Sequence, residues 1–116
     1  MLMAEFQSSL QWFPAGPPEG FPENTIIERE VNGKNVAFLR KDTQVHAFAA
    51  ICPHAGARFC EGWTDAQGRI VCPLHKYRFN PANGHNTSGE GYKLKTYPIE
   101  IKDNIVYIGL TTNDPL

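Results

Sequence analysis

Four residues of this 116-residue chain combine a metal-ligating type with an informative spacing. Cys52 and His54 form a Cys-x-His box and Cys72 and His75 a Cys-x-x-His box, with 17 residues between His54 and Cys72. Each cysteine is followed by a proline, Pro53 or Pro73, so the boxes form a short internal repeat. Two such loops side by side can offer two thiolates and two imidazoles to one site. Thiolates are soft and neutralise ferric charge, whereas neutral imidazoles replace negative charge and make reduction easier. The set therefore suits an iron–sulfur centre with one anionic and one neutral end. Structural zinc takes the same two-cysteine, two-histidine set. Its paired ligands are usually about two to four residues apart, however, and a single residue separates Cys52 from His54.

The boxes must be carried by loops, and the flanking sequence supplies strands to hold them. Residues 25–31 and 35–40 are rich in β-branched and aromatic types and are separated by Asn32-Gly33. That pair tolerates the positive φ angles of a tight hairpin. A turn at Lys41-Asp42-Thr43 leads into a third strand over residues 44–51, which delivers Cys52. Residues 93–102 and 105–110 flank Asp103-Asn104, a second two-residue turn. No window keeps a helical period for three turns, so the predicted fold is all-β. Residues 14–22 contain four prolines and read as a surface loop ahead of the first strand. Residues 52–91 are dense in Gly, Pro, Asn, Cys and His, with short strand-like pieces at 69–72 and 78–80. That stretch has little apolar material for a core of its own, and a bound metal would supply the missing cross-link.

Bulk composition restricts the function classes. At this length the expectation is a single domain, residues 1–116, with a metal-binding subdomain over about residues 52–91. Hydrophobic residues at 41% and a formal charge of −1 argue against disorder. The balance of 11 basic and 12 acidic residues argues against nucleic acid or an anionic membrane as the main partner. The first residues show neither a basic start nor a long apolar run, so a cytoplasmic location is expected. Three cysteines fit a disulfide framework badly and, in a reducing compartment, point to metal.

The boxes, C-P-H-A-G and C-P-L-H-K-Y-R-F-N, resemble those of the Rieske [2Fe–2S] family. Asn83-Gly84 and the strand Leu94-Lys95-Thr96-Tyr97-Pro98-Ile99 extend the resemblance to soluble Rieske ferredoxins and to the small subunit of NAD(P)H-dependent nitrite reductase. The resemblance covers about residues 24–110. It implies an antiparallel β-sandwich with a small, loop-rich cluster-binding subdomain. It also implies a [2Fe–2S] cluster whose buried iron is held by Cys52 and Cys72 and whose outer iron is held by His54 and His75. The implied function is one-electron transfer from a flavin reductase to a terminal oxygenase or reductase, with no catalytic centre of the chain's own. A permanent nitrite reductase subunit is the alternative within electron transfer, and a zinc-stabilised interaction module is the alternative from another class.

Several positions depart from the family pattern. Ala57 and Leu74 stand where respiratory relatives place a disulfide, so that bond is absent. Tyr77 and Phe79 stand where high-potential relatives place a serine and a tyrosine that donate to sulfur. Fewer donors disfavour the reduced state, which predicts a potential in the lower half of the Rieske range. Asn80 replaces a frequent aspartate, and Ser88-Gly89-Glu90-Gly91 replaces a Gly-Pro loop. Outside the boxes, Cys60 is expected to be a small buried hydrophobe, His46 a half-exposed strand residue and His85 a solvated turn residue. Trp12 and Trp63 are expected to fill core or edge positions.

Overall fold

The computed structural model describes residues 10–52, 58–73, 76–87 and 93–111. Among these residues ten strands run in chain order. They are β1 (Leu10–Gly16), β2 (Ile26–Val31), β3 (Lys34–Lys41), β4 (Gln44–Ala49), β5 (Trp63–Thr64), β6 (Ile70–Val71), β7 (Arg78–Phe79), β8 (Thr96–Tyr97), β9 (Ile99–Lys102) and β10 (Ile105–Thr111). Short 3₁₀ turns occur at Pro18–Gly20 and Phe59–Glu61, and there is no α-helix among the described residues.

The predicted hairpins form. Asn32 (φ 52°) and Gly33 (φ 79°) join β2 to β3, and Asp103 (φ 53°) and Asn104 (φ 61°) join β9 to β10. Both central residues take the left-handed conformation that matches strand twist in a two-residue turn. Three antiparallel sheets result, ordered β1-β10-β9, β2-β3-β4-β8 and β5-β6-β7.

The middle sheet has both faces covered, and β3 records this in its sequence. Val36 and Phe38 point to a core shared with Val106 and Ile108 of β10, while Ala37 and Leu39 point to a core shared with Phe59, Ile70 and Phe79. All four side chains of that strand are at most 1% exposed. A strand buried on both sides reads as a continuous apolar run, not as an alternation. The described parts of the 52–91 segment therefore do not form an isolated core. They pack into one shared with the sheet beneath, including Ile26, Phe48 and Ala50.

Two expectations require correction. The stretch from Pro14 is not all loop, because β1 runs through Pro14 to Gly16 and pairs with β10. Proline is tolerated because β1 is an edge strand, and the register shifts between Pro14 and Gly16. The strand predicted over residues 93–102 is in fact two. β8 pairs with β4, Pro98 interrupts, and β9 pairs with β10 in the other sheet. One segment thus ties both layers of the sandwich together.

Candidate metal centre

Each predicted box begins where an antiparallel pairing ends. Ile51 bridges to Arg58, and Val71 pairs with Arg78. Six residues lie within each frame (52–57 and 72–77), and the cysteine is the first of them in both cases. The ring of hydrogen bonds is continued by Phe59 N–H donating to Ala50 O at 2.9 Å and Cys72 N–H donating to Tyr77 O at 2.9 Å. Cys52 is 2% and Cys72 0% exposed, and both belong to the same apolar cluster as Phe59 and Phe79. No disulfide joins Cys52, Cys60 and Cys72. His54 and His75 lie outside the described residues, as do Ala57, Leu74 and Ser88-Gly89-Glu90-Gly91. Among the described residues no group of three His, Cys, Asp or Glu side chains gathers as a metal site.

The aromatic support under the thiols is specific. Phe59 stands edge-on between Phe48 (ring centroids 5.7 Å apart, 81°) and Phe79 (5.8 Å, 88°). Each such edge contact adds about 0.5–1.5 kcal/mol beyond its buried area. Phe79 is fully buried in this stack and brings no hydroxyl to the site, while the Tyr77 side chain packs partly buried against the same cluster. Two sequestered thiols in an apolar pocket, each opening a closed loop, are the donor chemistry expected of the thiolate half of an iron–sulfur centre.

Each loop-closing arginine is clasped by an acid. Arg58 meets Glu28 of β2 in a two-point pair, Nε donating to Oε1 at 3.1 Å and Nη2 donating to Oε2. Arg78 Nε lies 3.4 Å from Asp65 Oδ2. Asp65 is a residue that sequence reasoning passed over. Its Oδ1 accepts the N–H groups of Gln67 (3.0 Å) and Arg69 (2.9 Å), and Oδ2 accepts Arg69 Nε at 2.8 Å. Burial pushes this carboxyl up, but the hydrogen bonds and charge of Arg69 outweigh it and hold the pKa below the ordinary value. The available signal was Asp65 three residues before Gly68, the pattern of a β-turn, and Gly68 N–H does donate to Asp65 O at 2.9 Å.

The remaining candidates sort cleanly. His46 is half-buried in β4, and burial, followed by the charge of Lys41, lowers its pKa. His85 is exposed in a turn, its N–H donating to Asn83 Oδ1 at 2.8 Å. Asn80 caps that turn by accepting Ala82 N–H at 2.9 Å, a role its amide oxygen fills as well as a carboxylate would. Trp12 and Trp63 are exposed edge residues, 39% and 45% accessible, and not core. Cys60 departs from expectation because it is exposed, with Sγ 3.6 Å from Glu28 Oε1. In the short turn that carries it, Phe59 takes the buried position and turns its neighbour outward.

Comparison with known proteins agrees with this geometry. A family model for the Rieske [2Fe-2S] domain matches residues 11–98. The ferredoxin component of the naphthalene 1,2-dioxygenase/salicylate 5-hydroxylase systems of Ralstonia sp. is 31% identical over 93 residues, covering 79% of this chain and 88% of its own. A chain in the complex of reduced oxygenase and oxidised ferredoxin of carbazole 1,9a-dioxygenase superposes with a TM-score of 0.72 at 28% identity. The match covers 82% of this chain and 98% of that one. A chain assigned as the NADH-dependent nitrite reductase small subunit of Mycobacterium tuberculosis gives a TM-score of 0.78 at 20% identity, over 89% and 97% of the two chains. That likeness concerns the fold alone.

Proposed function

Since this chain belongs to the Rieske [2Fe-2S] domain family, we propose that it is the ferredoxin of an oxygenase system, taking single electrons from a flavin reductase and delivering them to a terminal oxygenase. The observation that carries this reading is the pair of buried cysteines, each opening a six-residue loop closed by antiparallel pairing over one apolar cluster. Relatives that are ferredoxin components of oxygenase systems, aligned over most of both chains, support the choice of partner. The chain acts as an electron-transfer component and not as a catalyst by itself.

Cys52 and Cys72 would hold the inner iron, and His54 and His75 the outer one. When bound, the cluster supplies a one-electron couple, placed by its imidazole ligands at roughly −150 to +300 mV against about −400 mV for plant-type ferredoxins. The chain's own contribution is to keep the thiolates dry, through Phe59, Phe79 and Leu94, and to fix their spacing through the two closed loops. Phe79 offers no hydroxyl to a sulfur, so the midpoint potential is expected in the lower half of that range. Protein-film voltammetry giving a value near the top would contradict this. A cytoplasmic home follows from thiols that must stay reduced. No helix among the described residues is long and apolar enough to cross a membrane.

The deciding experiment is visible absorption with EPR of the reduced protein, purified without oxygen. A brown protein with the rhombic signal of mixed Cys/His ligation, lost in Cys72→Ser and altered in His75→Cys, is expected. A colourless protein containing zinc without acid-labile sulfide would overturn the electron-transfer reading in favour of a metal-stapled interaction module.

A further inference from the structure

The sheet β1-β10-β9 ends in two edge strands, and they are protected unequally. β1 carries Pro14 and a register shift between Pro14 and Gly16, two devices that discourage further pairing. β9 is short, but it has no proline within it and keeps an unbroken register with β10. Lys102 and Ile105 close the turn of Asp103 and Asn104, so the backbone groups of Lys102 and Glu100 face β10. Those of Ile99 and Ile101 therefore face outward, and no strand among the described residues takes them up.

The side chains mark the same edge. Ile101 pairs with Val106, which is fully buried in the core, so Ile101 lies on the inner face of the sheet. It is nevertheless 44% exposed, with no described strand beyond it. Beside it the inner face opens into a cavity of about 360 Å³, lined also by Ile99 and by Val45 and His46 of β4. On the outer face Glu100 and Lys102 are exposed, and neither forms an ion pair among the described residues.

We propose that β9 pairs with β9 of a second copy of this chain, antiparallel about a two-fold axis through Ile101. The charge pattern selects both the occupant and the register. Centred on Ile101, each Glu100 stands opposite Lys102 of the other copy, so one contact makes two opposite-charge pairs. Centring on Glu100 would oppose two carboxylates, and centring on Lys102 two ammoniums, each a destabilising arrangement. A slip of one residue would set Ile101 opposite a charged side chain and turn one sheet over. In the favoured register the outward backbone groups of the two Ile101 residues bond to each other. Their side chains meet across the axis and cover apolar surface that a single copy leaves to water. With four residues a side the contact is small, so the dimer is weak and concentration-dependent. Ile51, Arg58, Val71 and Arg78, which frame the boxes, neither belong to β9 nor line this cavity. The contact thus uses none of the residues that frame the metal centre, and it does not rest on the electron-transfer reading.

The test is sedimentation equilibrium of the full chain, purified without oxygen, from micromolar to millimolar concentration. A reversible monomer–dimer equilibrium is expected. Glu100→Lys and Lys102→Glu each convert opposite-charge pairs into like ones, twice over by symmetry, and should weaken dimerisation by about tenfold or more. The double variant E100K/K102E should recover it, and a mixture of E100K with K102E should form the heterodimer. Both positions are exposed, and far-UV circular dichroism read alongside shows that the variants stay folded. A monomer at every concentration overturns the proposal, as does a dimer that the single reversals leave intact. Loss in the singles without recovery in the double variant or the mixture also overturns it, since charge pairing across the axis is then not the cause.

Discussion

The sandwich and the small sheet above it are held by different means. The sandwich rests on strands such as β2, β3 and β4, of six, eight and six residues, with continuous register and two cores against them. In the small sheet β5, β6 and β7 have two residues each. What holds it is a borrowed core, the hydrogen bonds of Asp65, a close backbone contact at Gly84 and, by our proposal, the ligated metal. The region assigned the chemistry is thus the one whose described strands are only two residues long, and binding free energy is expected to be folding free energy there.

Removal of the cluster should separate the two regions most sharply. After chelation under reducing conditions, amide exchange should accelerate by orders of magnitude in β6 and β7 while β3 and β10 keep their protection. Uniform loss of protection would erase the distinction.

A pair of glycine substitutions comes next. Gly84 (φ +76°) and Gly33 (φ +79°) share a backbone conformation, but a Cβ at Gly84 would stand 1.9 Å from Leu94 O whereas one at Gly33 meets nothing within 4 Å. Gly84→Ala should therefore cost about 3 kcal/mol or more and Gly33→Ala about 1 kcal/mol in urea unfolding. Equal costs would mean that the Gly84 contact relaxes freely.

Asp65→Ala removes the acceptor for two backbone N–H groups and two arginines and should cost about 1–2 kcal/mol. The loss should appear as faster exchange in β5–β7 and faster cluster release. A loss spread evenly over the sandwich would contradict the local role.

The smallest effect belongs to His46 on the sandwich. Its lowered pKa means that the unfolded chain takes up a proton at a pH where the folded chain does not. Falling pH through the unfolded value near 6.5 therefore costs stability. Comparing urea midpoints between about pH 7.5 and 5, His46→Gln should gain on the parent protein as pH falls. A constant difference would exclude this.

Much of the arrangement could be read from residue order because local chemistry decided it. Asn32-Gly33 and Asp103-Asn104 dictate hairpins wherever they stand between strands, and the two cysteines mark strand ends on their own. What could not be read depended on partners distant in sequence. Pro14 sits in a strand only because β1 lies at an edge, and Pro98 divides a strand only because each half finds a different sheet. Cys60 is exposed because Phe59 takes the buried place in their short turn. Lys34, four residues from Phe38, is only 7% exposed and places its Nζ 5.8 Å from the ring of Tyr97, some sixty positions further along the chain.

The two loop frames have a further property, a hidden symmetry. Ile51-Cys52-Pro53 and Val71-Cys72-Pro73 lie twenty positions apart, and so do Arg58 and Arg78, which close them and each engage an acid. The frames differ where histidine falls, third of the six residues in one and fourth in the other. The two cysteines thus open matching frames, and by our proposal the asymmetry of the metal centre would come from where the histidine falls in each. A designer could regard the frames as interchangeable sockets and the hexapeptides as the inserts.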